Sequence, residues 1–195
     1  AWFIALNPAA AGALAAITRC VLGDTALGAW SALGAGAPFD PVGLLDELAG
    51  FVGASETAGL PVRTSLVSTQ LARLLALEGA AEVLSRFDRI LLGGGAIHPS
   101  LLDRYRAAGL PVARTYGMTE TTGGCVYDGR PLGGTRLAIV DEEIVVSGPT
   151  VAAGYCVSLS GGAAHFEGRR LYTGDRGELV GGQLVVGGRL DDVVA

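Results

Sequence analysis

The sequence predicts an α/β fold, a parallel sheet with flanking helices followed by a small antiparallel β lobe. Three observations predict it. Up to about residue 130, short aliphatic runs alternate with helix-length segments, the pattern of strand–helix–strand units with parallel pairing. Beyond residue 130 helical spacing disappears, and short apolar runs follow one another across Asp-Glu and Gly-Gly turns, as hairpins do. With 195 residues, half of them hydrophobic, the chain can build one sizeable core and bury about 70% of its unfolded surface.

The elements follow in order. Trp2 to Leu6 reads as a short buried strand stopped by Asn7-Pro8. Ala9 to Leu22 is a helix, with Ile17, Val21 and the alanines toward a core and Gly23-Asp24 closing it. Thr25 to Leu33 is the next strand. Asp40 is positioned to cap a helix that Pro41 opens, and Val42, Leu44, Leu45, Leu48, Phe51 and Val52 form its apolar stripe. Gly53 to Gly59 reads as a loop, Arg63 to Val67 as a strand, Ser68 as the cap of a helix from Thr69 to Leu77, and Arg89 to Leu92 as a strand. Pro99 opens a helix through Ala108, and Pro111-Val112-Ala113 ends a further buried strand. In the antiparallel part the strands are Thr135–Val140, Glu143–Val146, Gly177–Val180 and Gln183–Val186. Tyr172–Asp175 and Gly188–Asp192 fall at their ends. His165, in a Gly/Ala-rich stretch, reads as loop and is assigned no role; His98, ahead of Pro99, reads as loop as well. The organisation expected is an α/β part over residues 1–130 and a β lobe over 131–195.

Composition limits the function. Gly, 31 of 195, is roughly twice ordinary usage, but no repeat period accompanies it, so collagen-like and disordered classes are excluded. The net charge of -5 without a basic run argues against nucleic acid as a partner. All fourteen basic residues are arginine. Cys20, Cys125 and Cys156 are odd in number and form no C-x-x-C pair, which fits buried apolar roles in a reducing, cytoplasmic compartment. Residues 1–18 carry no charge, yet Asn7-Pro8 and the alanines argue against a membrane span or signal peptide. Met118 is the only methionine, so the chain is expected to be a fragment or a processed form.

The densest chemistry lies in Arg114-Thr115-Tyr116-Gly117-Met118-Thr119-Glu120-Thr121, directly behind an apolar run. Carboxyl ends of parallel strands open into the crevice where ligands bind. Three such tips are expected to converge: Val67-Ser68, Gly93-Gly94-Gly95-Ala96 and Tyr116-Gly117. Glycines allow close approach to a flat ligand, and an aromatic ring stacked on a base contributes about 1–3 kcal/mol. Thr119-Glu120-Thr121 offers hydroxyl, carboxylate and hydroxyl, which suits phosphates and a hard cation. Gly117 is expected to turn the backbone sharply there. Read in isolation, the octet is equally a strand with a polar turn, Asp175 a turn aspartate and Arg189 a surface ion-pair partner.

Four elements in order raise this reading: Tyr116-Gly117-Met118-Thr119-Glu120, Gly148-Pro149 with Gly154-Tyr155, Thr173-Gly174-Asp175, and Gly188-Arg189-Leu190-Asp191-Asp192. This series resembles that of the adenylate-forming enzymes, and the match extends from Trp2 to Val194. The string Arg114 to Gly129, with Thr64–Val67 and Thr69–Leu71, is most similar to the o-succinylbenzoate-CoA ligases of menaquinone biosynthesis. The resemblance implies part of the large N-terminal domain of such an enzyme, with ATP or AMP, Mg²⁺ and coenzyme A as cofactors and co-substrates and a carboxylic acid as substrate; it leaves room for a homodimer. It implies that Gly94, Gly95 and Ala96 line the adenine, with Tyr116 stacked on it and Thr115 and Gly117 beside it. Thr119 would bond phosphate and Glu120 hold Mg²⁺, the pair forming the catalytic set. Asp175 would accept the ribose hydroxyls, Arg189 would donate to ribose or phosphate, and Asp191 would be the hinge to a C-terminal domain. The acyl pocket would draw on Ser65, Thr69 and Gln70 and on a Thr122-Gly123-Gly124 loop.

The phosphate loop and the lysine-bearing C-terminal domain of the family match nothing in these residues, and Pro8-Ala9-Ala10 stands where the family tends to carry a histidine pair. The expectation is a segment inactive by itself. The alternatives are a ligase for another aryl or acyl acid and a non-catalytic nucleotide-binding remnant.

Overall fold

The computed structural model describes residues 2–5, 18, 26–29, 39–95, 97–155 and 164–191. Two compact units divide the chain at Arg114/Thr115. The helix expected from Ala9 to Leu22 lies outside the described residues except for Thr18, which is helical.

The first unit is a parallel sheet with helices. Strands β1 (Trp2–Ala5), β2 (Ala26–Ala29), β3 (Val62–Leu66), β4 (Arg89–Leu92) and the first part of β5 (Val112–Met118) pair in the order β2-β1-β3-β4-β5, all parallel. In β3, Val62, Thr64 and Leu66 are buried and the residues between them exposed, the period of two of a strand with one face on a core. Helix α1 (Pro41–Ala58) begins as expected: Asp40 Oδ1 accepts from Val42 N at 3.0 Å and Pro41 opens the first turn. It corrects two expectations. The helix runs on through Gly53 instead of entering a loop, because its buried face continues from Leu44, Leu48 and Val52 to Ser55, whose hydroxyl donates to the Val52 carbonyl. It stops at Gly59, a left-handed cap, where Leu60 N reaches the Ser55 carbonyl. Val42, read as core, is 56% exposed, since it lies off that face.

Helix α2 spans Ser68–Leu74, so Ser68 is its first residue rather than its cap; at Val67, the position before it, the N–H is taken by Gln70 Oε1 at 2.9 Å. A short helix, α3 (Ala80–Ser85), has no counterpart in the sequence reading. Helix α4 (Pro99–Ala107) opens on Pro99, with His98 as its N-cap, the imidazole Nδ1 accepting from Ser100 N. The core joins Leu44, Leu48, Leu71, Leu74, Leu84, Ile90 and Leu92, all fully buried.

The second unit is antiparallel. The end of β5 pairs with β6 (Gly123–Tyr127), which pairs with β7 (Arg130–Pro131). The other sheet has β10 (His165–Glu167), β11 (Arg170–Val180), β9 (Glu143–Ser147) and β8 (Arg136–Val140) in that order, with β12 (Gln183–Arg189) paired to β11. Three hairpins close on two-residue loops, Asp128-Gly129, Asp141-Glu142 and Gly181-Gly182, in which both residues have positive φ. That is the turn whose twist matches paired strands. Cys125, Val126, Ile144, Val146 and Leu184 form this unit's core, and burial raises the Cys125 thiol pKa.

Here three further expectations are corrected. Gly123-Gly124 belong to a strand, β6, not a loop. Tyr172–Asp175 lie inside the eleven-residue β11, not at a strand end. His165 is in β10 and stacks on Tyr172 with centroids 4.6 Å apart and planes 9° from parallel. Among the described residues, no helix is long and apolar enough to cross a membrane.

Candidate functional site

Register in the second unit brings Asp175 and Arg189 together. They are directly paired residues of β11 and β12. Between Tyr172 and Arg176 the pairing of β11 with β9 slips, so the Thr173-Gly174-Asp175 backbone leaves the ladder. Side chains satisfy its N–H groups instead: Glu143 Oε1 accepts from Gly174 N at 2.7 Å, and Thr173 Oγ1 accepts from Asp175 N at 3.1 Å. The buried Thr173 hydroxyl donates in turn to the Ile144 carbonyl at 2.8 Å. The bulge is thereby a built feature that directs the Asp175 carboxylate.

That carboxylate receives two donors. Tyr116, from β5, donates its hydroxyl to Oδ2 at 2.8 Å, and Arg189 reaches Oδ1 at 3.3 Å. Arg189 also donates through Nε and Nη2 to both oxygens of Asp191, at 2.8 and 3.2 Å, a two-pronged pair. One guanidinium therefore links the expected ribose and hinge carboxylates. Burial, reinforced by the facing Asp175, raises the Tyr116 phenol pKa well above the usual range, so it remains a donor. The bonds from Arg189 hold the Asp191 carboxyl below its ordinary range.

Tyr116 is inside β5, not on a tip beyond a strand end, and the register of β5 with β6 shifts between Tyr116 and Gly117. Gly117 is required by proximity rather than by a sharp turn: a Cβ there would collide with the carbonyl of Gly123 and the Cα of Gly124. After Met118 the chain makes a 3₁₀ turn, Thr119–Thr121. Thr121 is buried and accepts from Met118 N at 2.9 Å, while Thr119 is exposed and Glu120 half-buried. Thr122 takes a left-handed conformation and its hydroxyl donates to the Thr150 carbonyl at 3.1 Å.

Glu120 Oε1 accepts from the Tyr155 hydroxyl at 2.6 Å, a bond that raises the Tyr155 pKa. Among the described residues, no three His, Cys, Asp or Glu side chains converge to hold a metal ion. Glu120 is thus a lone carboxylate with one oxygen tied. That set fits Mg²⁺, which takes one or two carboxylates when phosphates and water complete its shell.

The remaining expected residues lie in the first unit. Gly94 and Gly95 follow β4, and Ala96 lies outside the described residues. A Cβ on Gly94, which has positive φ, would press on Val67 at 3.0 Å. Ser65 is on β3 and exposed; Thr69 and Gln70 are in the first turn of α2. Sequence reasoning gave no role to Thr173 or Glu143, which only the bulge explains, nor to Tyr155, although the Gly154-Tyr155 pair stood in the motif series.

Residues 60–156 match the AMP-binding enzyme family model. A probable 2-succinylbenzoate-CoA ligase of Mycobacterium tuberculosis (strain CDC 1551 / Oshkosh) is 43% identical over 136 residues, covering 68% of this chain and 35% of that protein. The 2-succinylbenzoate-CoA ligase of Enterococcus faecalis is 35% identical over 114 residues, 47% of this chain and 24% of the relative. This chain therefore spans about a third or less of the length of those relatives. Among solved structures, O-succinylbenzoate coenzyme A synthetase from Bacillus subtilis in complex with AMP has a TM-score of 0.74 at 27% identity, covering 98% of this chain and 51% of that one. The same protein in complex with ATP and magnesium ion gives 0.73 at 26%, covering 99% and 42%.

Proposed function

Because this chain belongs to the AMP-binding family of adenylate-forming enzymes, we propose that the whole protein is an acid–CoA ligase acting on o-succinylbenzoate in menaquinone biosynthesis, in the cytoplasm. The observation that carries the reading in this chain is the bonded cluster of Tyr116, Asp175 and Arg189. It offers a ring to a base, a carboxylate to a diol and a guanidinium to anionic oxygens.

In the proposed reaction a carboxylate oxygen of the acid attacks the α-phosphorus of ATP. The bond to the β-phosphate oxygen breaks, and pyrophosphate leaves. Coenzyme A sulfur, as thiolate, then attacks the acyl carbon and AMP departs. Tyr116 with Thr115 and Gly117 would hold the adenine, Asp175 the ribose, Thr119 the phosphates, and Arg189 ribose or phosphate oxygens. Glu120 would hold Mg²⁺, which when bound supplies positive charge to the phosphate oxygens. Gly94, Gly95 and Ala96 are assigned to the adenine, and Ser65, Thr69, Gln70, Thr122, Gly123 and Gly124 to the acid. Asp191 is assigned to a hinge, and a division of roles at residue 130, as distinct from the compact-unit boundary at Arg114/Thr115, is part of the proposal. Catalysis would rest on positioning and charge stabilisation.

The test is ATP–pyrophosphate exchange by the full-length protein across a panel of carboxylic acids. Exchange dependent on o-succinylbenzoate is expected. Exchange only with a different acid reassigns the substrate, and AMP binding with no exchange for any acid identifies a nucleotide-binding remnant. The 195-residue chain alone is expected to show no exchange.

A further inference from the structure

The segment after Gly148 is bound to the Thr119–Thr122 turn at three points. Thr122 Oγ1 donates to the Thr150 carbonyl at 3.1 Å, Ala152 N donates to the Glu120 carbonyl at 2.8 Å, and the Tyr155 hydroxyl donates to Glu120 Oε1 at 2.6 Å. The first two fix the backbone on which Glu120 stands; the third fixes its carboxylate. Tyr155 is itself braced: its ring meets Phe166 edge to face, with centroids 5.2 Å apart and planes at 71°.

We propose that Tyr155 is the positioning residue for Glu120, orienting this carboxylate toward a nucleotide-borne divalent cation. The inference rests on the reading of Glu120 as the metal carboxylate. An unbraced glutamate gives up as much as about 2 kcal/mol of side-chain entropy when it is fixed, and much of that ordering is already present here. A 2.6 Å O–H···O⁻ distance is in the charge-assisted range. An ionised carboxylate has about four acceptor sites, so one bond from Tyr155 leaves capacity for a cation. Groups that orient a metal ligand through a hydrogen bond typically govern affinity by roughly 10–100-fold.

Tyr155→Phe tests this in the full-length protein, since it keeps the ring against Phe166 and deletes only the hydroxyl. Two quantities are read: Mn²⁺ affinity in the presence of ATP by electron paramagnetic resonance, and AMP affinity in EDTA by calorimetry. Mn²⁺ affinity is expected to fall roughly 10-fold with AMP affinity unchanged, and Tyr155→Phe is expected to add nothing in a Glu120→Gln background. Equal loss of both affinities would make Tyr155 merely structural and overturn the proposal. Weakening by Glu120→Gln but not by Tyr155→Phe would overturn it while keeping Glu120 as ligand. No effect of either variant on Mn²⁺ would remove the metal reading of Glu120 and the inference with it.

Discussion

Asp175→Asn keeps the shape of the side chain and removes its charge, so its cost can be worked from the contacts. The Tyr116 hydroxyl bond to a charged acceptor contributes about 1.5–3 kcal/mol, and a neutral amide oxygen still accepts for about 0.5–1.5 kcal/mol. The loss at 2.8 Å is therefore about 1 kcal/mol. The Arg189 pair adds at most about 1 kcal/mol, because that side chain is 39% exposed and keeps Asp191 as partner. A total of about 1–2 kcal/mol against the 5–15 kcal/mol typical of a domain leaves the fold intact. For a nucleotide, two ribose bonds would change from charge-assisted to neutral and lose about half their strength. A loss of about 1–2 kcal/mol corresponds to roughly 5–30-fold weaker AMP binding. Calorimetry with AMP and its 2′,3′-dideoxy analogue on the full-length variant measures it. Unchanged AMP affinity, or equal weakening of both ligands, would refute the assignment of Asp175 to the ribose.

Two further outcomes concern stability. The Tyr116 pKa is raised in the folded protein, so its contribution is fully present below about pH 10, the ordinary tyrosine value, and is lost as pH rises toward the folded value; Tyr116→Phe should flatten the alkaline fall in urea midpoint, and an unchanged slope would count against it. Thr64 is fully buried and its hydroxyl has no hydrogen-bond partner among the described residues, so Thr64→Val should stabilise by about 1 kcal/mol in urea unfolding; a clear loss would mean that the hydroxyl is satisfied.

Much of the fold was legible because local and global signals agreed. Asp40-Pro41 states a helix start in two residues, and the apolar runs at Arg89–Leu92 and Val112–Ala113 mark buried strands. What was not legible depends on partners remote in sequence. Gly53 looks like a break until the burial of Ser55 shows that tertiary packing carries the helix past it. Gly123-Gly124 looks like a loop because side chains are missing where β5 comes closest. Thr173-Gly174-Asp175 looks like a strand end because the bulge that contains it is held by Glu143, thirty-one residues away from Gly174. The motif series located Tyr116, Asp175 and Arg189, but only register could show that they bond to one another.

The crowding at Gly117 restricts how this turn can be redesigned. Because main-chain atoms rather than a movable side chain fill the space, no repacking makes room for even a methyl group. Libraries that randomise position 117 should return the parental residue alone. Thr122, five residues on, offers no free alternative: it is left-handed, and its hydroxyl bond to the Thr150 carbonyl is one of the ties that hold the turn.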